Sequence, residues 1–175
     1  RRQVLRPCRK PLIVPMSKKL LKFKDAASDI SELVNGSFKT VIGEVDANIN
    51  PASVKRVLVC SGQVYYDLLA GRKDRNIDTI AIVRLEQLYP FPTDDLAAEV
   101  AKFANATEIM WVQEEPRNQG AWYQIRHRLE KLLTTGKTLS YAGRDSSASP
   151  AAGYMSKHTA QLKAFVEQAM SFQPK

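Results

Sequence analysis

The sequence predicts an α/β protein, a three-layer αβα arrangement around a mainly parallel sheet of about five strands. Three observations carry this. Residues 56–60, 79–83 and 108–113 are short, almost continuously apolar runs, the pattern of strands covered on both faces. Each run is followed by a stretch with apolar residues at helical spacing. The connections are too long for hairpins, so right-handed crossovers should place helices on both sides of the sheet. The chain of 175 residues is large enough for one domain with a real core, and 44% hydrophobic with 25% charged residues is an ordinary globular balance. Residues 1–40 read as a basic entry segment and 41–175 as the α/β domain.

Taken in order, Leu12-Ile13-Val14 is a short apolar run, and a brief helix starting at Asp29 should stop at Asn35-Gly36. Residues 41–45 (Val-Ile-Gly-Glu-Val) alternate like a half-covered edge strand, closed by a turn at Asn48–Pro51. After the buried run 56–60, Ser61-Gly62 makes a corner, and Val64, Leu68 and Leu69 form the inner face of a helix. The run 79–83 leads to Pro92-Thr93, where Thr93 is a suitable N-cap for a helix turning Leu96, Val100 and Phe103 inward. The run 108–113 meets Pro116 and Gly120, which turn the chain into a helix over 121–133 with Trp122, Ile125, Leu129, Leu132 and Leu133 inward. A last strand at 139–142, a loop of small residues at 143–153 and a helix capped by Ser156, facing inward through Leu162, Phe165, Val166 and Met170, complete the order.

The net charge of +8 is localised. Residues 1–24 hold nine Lys or Arg and no acid, and the remaining 151 hold 17 basic and 18 acidic residues. A nucleic-acid surface would spread cations over a face and interleave aromatics, and Phe23 is the one aromatic in this segment, so no nucleic-acid partner is expected. The basic stretch reads instead as a linker lying against an acidic surface. No apolar run approaches the ~20 residues that span a bilayer, so no membrane partner is expected. Cys8 and Cys60 lie outside any Cys-x-x-Cys spacing, which fits a reducing compartment, and Cys60 reads as a small core residue.

Chemistry is sparse. His127 and His158 are too isolated to ligate a metal. Glu114 and Glu115 are adjacent on a strand end and point apart, so one salt-bridged and one solvated carboxylate is the simpler reading. Ser61-Gly62-Gln63 has one glycine where a dinucleotide fingerprint needs three, and no Gly-Asp-Gly motif for thiamine diphosphate and magnesium is present. No catalytic, cofactor-binding or metal residues are therefore assigned. An anion-binding effector site can be assembled from Arg144, Ser146, Ser147, Ser149, Gln119 and Gln63, since successive strand-to-helix junctions converge at the carboxyl edge of a parallel sheet. The competing reading has Arg144 tied to Glu114 or Glu115 as scaffold, and it is preferred because one arginine seldom holds a phosphate without further cations.

The stretch Gln113-Glu114-Glu115-Pro116-Arg117-Asn118-Gln119-Gly120-Ala121-Trp122 resembles a signature of the E1 component of 2-oxoglutarate dehydrogenase, near the C-terminus of that enzyme. The resemblance extends, in the family's order, to Arg9–Val14, Val59-Cys60-Ser61-Gly62 with Tyr65-Tyr66-Asp67-Leu68, residues 82–92, Tyr141-Ala142-Gly143-Arg144, Ser147–Ala151, Gly153–Ser156 and His158. It implies a transketolase C-terminal-domain-like fold and a full subunit that is a homodimer, binding thiamine diphosphate and magnesium on upstream domains. It implies oxidative decarboxylation of 2-oxoglutarate in the tricarboxylic acid cycle, with succinyl transfer to the lipoyl group of the E2 succinyltransferase. This chain is then a structural, dimer-supporting domain, inactive alone, and cytoplasmic in a bacterium or in the mitochondrial matrix of a eukaryote. A 2-oxoadipate-specific relative and a stand-alone nucleotide- or CoA-binding regulatory module are the alternatives. Some actinobacterial relatives bind acetyl-CoA on this domain, but Gln63 stands where many relatives have lysine, and Met16-Ser17-Lys18 replaces a Ser/Thr-Pro-Lys.

Overall fold

In the computed structural model, which describes residues 1–172, the chain divides into a unit over Arg1–Lys39 and a second from Thr40 onward. The first unit holds helices α1 (Arg2–Leu5) and α2 (Ile30–Asn35) and two 3₁₀ turns. Asp29 caps α2 by accepting from Ser31 N–H at 2.8 Å, which satisfies one of the orphan donors of the first turn. None of its residues is buried.

The second unit is built on a five-stranded sheet in the order β1-β3-β2-β4-β5, with β1 (Val41–Ile42) antiparallel to β3 (Ile80–Leu85) and the neighbours β2 (Arg56–Cys60), β4 (Glu108–Pro116) and β5 (Thr138–Arg144) parallel. Side chains alternate across a strand, so each buried run feeds two cores. Val57, Val59, Ala81, Val83, Ile109 and Trp111 pack with helices α4 (Thr93–Ala101) and α5 (Trp122–Glu130) on one face. Leu58, Cys60, Ile80, Ile82, Met110 and Val112 pack with α3 (Val64–Asp74) and α6 (Met155–Met170) on the other. This is the three-layer αβα architecture.

Two buried arginines lie near the amino-terminal ends of the central strands β2 and β3. Arg56 donates from Nε to Glu108 at 2.8 Å and from Nη1 to the carbonyls of Ala169 (2.7 Å) and Ser171 (3.0 Å) at the C-terminus of α6, where a cation complements the helix dipole. Arg72 and Glu44 form a buried pair at the edge of β3: Arg72 donates to Ile80 O at 3.1 Å, and Glu44 accepts from Ile82 N–H at 2.8 Å.

That pair explains a correction. The strand expected over 41–45 stops at Ile42, because the Glu44 carboxylate takes the place of backbone in the ladder. The third buried run does not end at Gln113 but continues to Pro116, through an irregularity in register between Val112 and Pro116 that keeps it paired to Arg144. The last strand is likewise longer than 139–142. Thr93 is the first helical residue of α4, with Pro92 at the cap, and α6 starts at Met155 after Tyr154, not after Ser156; neither cap makes a side-chain bond. Helix α5 closes at Glu130, and Leu132 and Leu133 pack from the turn that follows.

Candidate functional site

The corner between β4 and α5 is organised by one side chain. The Gln113 carboxamide, 2% exposed, donates to Gln119 O at 2.8 Å and Pro116 O at 3.1 Å, and its oxygen accepts from Trp111 Nε1 (2.9 Å) and Trp122 N–H (3.0 Å). A buried amide must find such partners. Asn118 extends the corner to the next loop by a reciprocal pair, donating to Ser147 O and accepting from Ser147 N–H, both at 3.0 Å. The Gln119 amide also donates to Ser147 O at 2.9 Å.

Arg144 ends β5 behind this junction and is 7% exposed. Its Nη2 donates to His158 Nδ1 at 2.8 Å, the imidazole nitrogen accepting because guanidinium has no acceptor. Glu114 Oε1 stands 3.6 Å from the same nitrogen, an ion-pair distance, and Nε is buried without a partner. Arg144, Asp145, Ser147, Ser149, Lys157 and Gln161 line a small open cleft of about 30 Å³, with Pro116, Ala151 and Ala152. Lys157 and His158 sit in the first turn of α6.

The expected effector residues are thus brought together only in part. Arg144, Ser147 and Ser149 share the cleft; Gln119 reaches it through Ser147 O; Ser146 is exposed and outside the lining. Gln63 stands at the N-cap position of α3, after β2, without a side-chain capping bond, and is also outside the cleft. The loop serines are already used within the loop: Ser147 Oγ accepts from Ser149 N–H at 3.3 Å, and Ser149 Oγ donates to Ala151 O at 3.0 Å. Lys157 and the contact of His158 with Arg144 were not read from sequence, since the packing of α6 along β5 places them there. The cleft pairs two cations with a helix N-terminus, and Asp145 on its wall opposes an anion. Nothing around it forms a nucleophile and base, and among the described residues no group of three or more His, Cys, Asp or Glu is placed to hold a metal.

Comparison with known families decides the affiliation: residues 27–170 match the 2-oxoglutarate dehydrogenase C-terminal family. The chain belongs to this family. Its 2-oxoglutarate dehydrogenase C-terminal match is accompanied by similarity to whole proteins. The chain is 52% identical over 171 residues to the 2-oxoglutarate dehydrogenase E1 component of Cupriavidus necator and 52% over 172 residues to that of Haemophilus influenzae. It is 47% identical over 174 residues to the Azotobacter vinelandii counterpart. Each match takes in 98% of this chain and 18% of the relative, so the chain spans less than a fifth of the length of these relatives. As a 2-oxoglutarate dehydrogenase C-terminal domain it has the α/β architecture laid out above. Among the described residues no helix is long and apolar enough to cross a membrane.

Proposed function

We propose that this chain is the C-terminal structural domain of a subunit that oxidatively decarboxylates 2-oxoglutarate and passes the succinyl group to the lipoyl group of an E2 partner. The observation that carries the reading is the 52% identity to E1 components over 98% of the chain. The residues present do not fit thiamine diphosphate and magnesium: the sequence has no Gly-Asp-Gly motif, and the described residues offer no ligand cluster. On this reading the cofactor is held by other parts of the subunit and the protein works in the cytoplasm of a bacterium; the E1 names and bacterial sources of the relatives support it. The decisive experiment is 2-oxoglutarate-dependent dye reduction by the full-length protein with thiamine diphosphate and magnesium, run beside 2-oxoadipate and beside the 175 residues alone. Turnover of 2-oxoglutarate by the full-length protein only is expected. A preference for 2-oxoadipate overturns the substrate assignment, and turnover by the 175 residues alone overturns the domain assignment.

A second reading concerns the cleft at Arg144. Lys157 supplies the further cation that the sequence reading lacked, which supports a phosphate-bearing effector such as acetyl-CoA or a nucleotide. The His158 and Glu114 contacts support Arg144 as scaffold. Calorimetric titration with acetyl-CoA and AMP separates them. Saturable binding lost in Arg144→Ala and in Lys157→Ala marks an effector site, whereas no heat and a lowered Tm for Arg144→Ala alone leaves a structural tie.

A further inference from the structure

The unit over Arg1–Lys39 has the composition of a segment that folds against something. Its exposed large apolar side chains include Leu12 (66%), Ile13 (82%), Val14 (65%), Leu21 (65%), Ile30 (75%) and Leu33 (76%), and it contains no buried residue of its own. Single exposed hydrophobics are ordinary on a protein surface; such a density in a segment without a core is not. The nine cations of residues 1–24, without one acid, add a definite charge.

We infer that residues 4–34 are a strap whose apolar side chains are covered by an acid-rimmed surface elsewhere in the same subunit; this rests on the reading that the chain is part of a longer E1 protein. Two observations favour that occupant. The similarity to E1 components takes in 98% of this chain, whereas the C-terminal family match begins only at residue 27. The strap is therefore kept in whole subunits although much of it lies outside the C-terminal family unit. Charge supplies the second: a surface receiving these lysines and arginines is favoured by carboxylates at its rim. A lipid surface fits less well, since in-plane binding needs a long amphipathic helix, and α1 and α2 have four and six residues. Nucleic acid fits less well because the segment alternates cations with aliphatic, not aromatic, residues.

The test is hydrogen exchange on the full-length protein, combined with zero-length carbodiimide cross-linking of Lys10, Lys18 and Lys19 in an equal mixture of isotopically light and heavy subunits. Amides within 9–16 should exchange at least tenfold slower than in an unstructured chain, and the lysines should link to Asp or Glu outside these 175 residues within one subunit. Links found mainly between light and heavy subunits assign the strap to a second copy and overturn the proposal. Exchange at the unstructured rate, or protection appearing only on adding anionic vesicles or RNA, also overturns it. Dye reduction is measured on the same sample, so an active enzyme with an unprotected strap removes this inference alone, and a protected strap in a protein without 2-oxoglutarate turnover removes only the functional reading.

Discussion

The Gln113 carboxamide occupies the space that a side chain at Gly120 would need. A Cβ placed on Gly120 would lie 2.9 Å from Gln113 Nε2, and Gly120 also has φ +64°, a conformation that costs any other residue energy. The two positions of the β4–α5 corner are therefore chosen together, and the Gln113 carboxamide finds all its partners within the corner, while the buried Trp122 Nε1 finds none.

Gly120→Ala should accordingly destabilise the domain by about 1–3 kcal/mol through backbone conformation and contact with Gln113. Gln113→Ala should cost at least as much, roughly 2–4 kcal/mol, because Trp111 Nε1 and Trp122 N–H lose their acceptor inside the protein. Urea unfolding followed by tryptophan fluorescence measures both. A Gln113→Ala midpoint equal to the parent would show that the amide is not what holds the corner.

Arg56 should be among the most sensitive charged positions. Truncation to alanine strands Glu108 and uncovers the last carbonyls of α6, so a loss of about 3–5 kcal/mol is expected, the usual result of removing one member of a buried pair. Replacing Glu108 by Gln should cost less, since the neutral amide can still accept from Arg56. Thermal unfolding of the two variants gives the ranking.

Alkaline pH should weaken the fold with a defined sign. Burial pushes the Tyr141 phenol up to about 12 from its ordinary 10.0, with Arg117 and the nearby Gln113 amide pulling the other way, and no hydrogen bond of ordinary geometry reaches its hydroxyl. The unfolded chain thus releases this proton first, the folded state binds more protons between those values, and stability falls as pH rises from about 10 to about 12. Cys60, pushed by burial from 9.0 to about 12, acts in the same direction from a lower pH. Tyr141→Phe should reduce the slope above pH 10 and leave the Cys60 part, with neutral-pH stability unchanged or raised by up to ~1 kcal/mol. Denaturation midpoints at pH 8, 9.5 and 11 test this.

The subunit-association reading can be probed on the loop after β3. Tyr89 is 84% exposed and Tyr123 58%, while Phe91 packs partly against the core beneath Arg128. Phe91 is thus a poor probe, since its substitution would damage the core as well. Tyr89→Asp in the full-length enzyme should weaken the dimer at least tenfold in sedimentation equilibrium with an unchanged Tm. An unaltered dimer would assign the exposed ring no role in association.

The sequence by itself determined the layered architecture of this protein, because burial on both faces of a parallel strand leaves an uninterrupted apolar run, and the helices between such runs carry their own 3.6-residue stripe. It also determined that an unusual joint lies at 113–122, through the proline, the glycine and the polar residues between two apolar segments. Tertiary structure decided where the strands stop. Glu44 ends β1 by bonding Ile82 across the sheet edge, and Pro116 stays in β4 through its pairing with Arg144, relations between residues 28 or more positions apart. It decided the cleft as well: His158 meets Arg144 and Lys157 shares its cleft only because α6 returns along β5, and no local pattern encodes that approach. Periodicity records which face of an element is buried, whereas the partner of a polar side chain depends on the path of the chain between the two, and that path exists only once the sheet has formed.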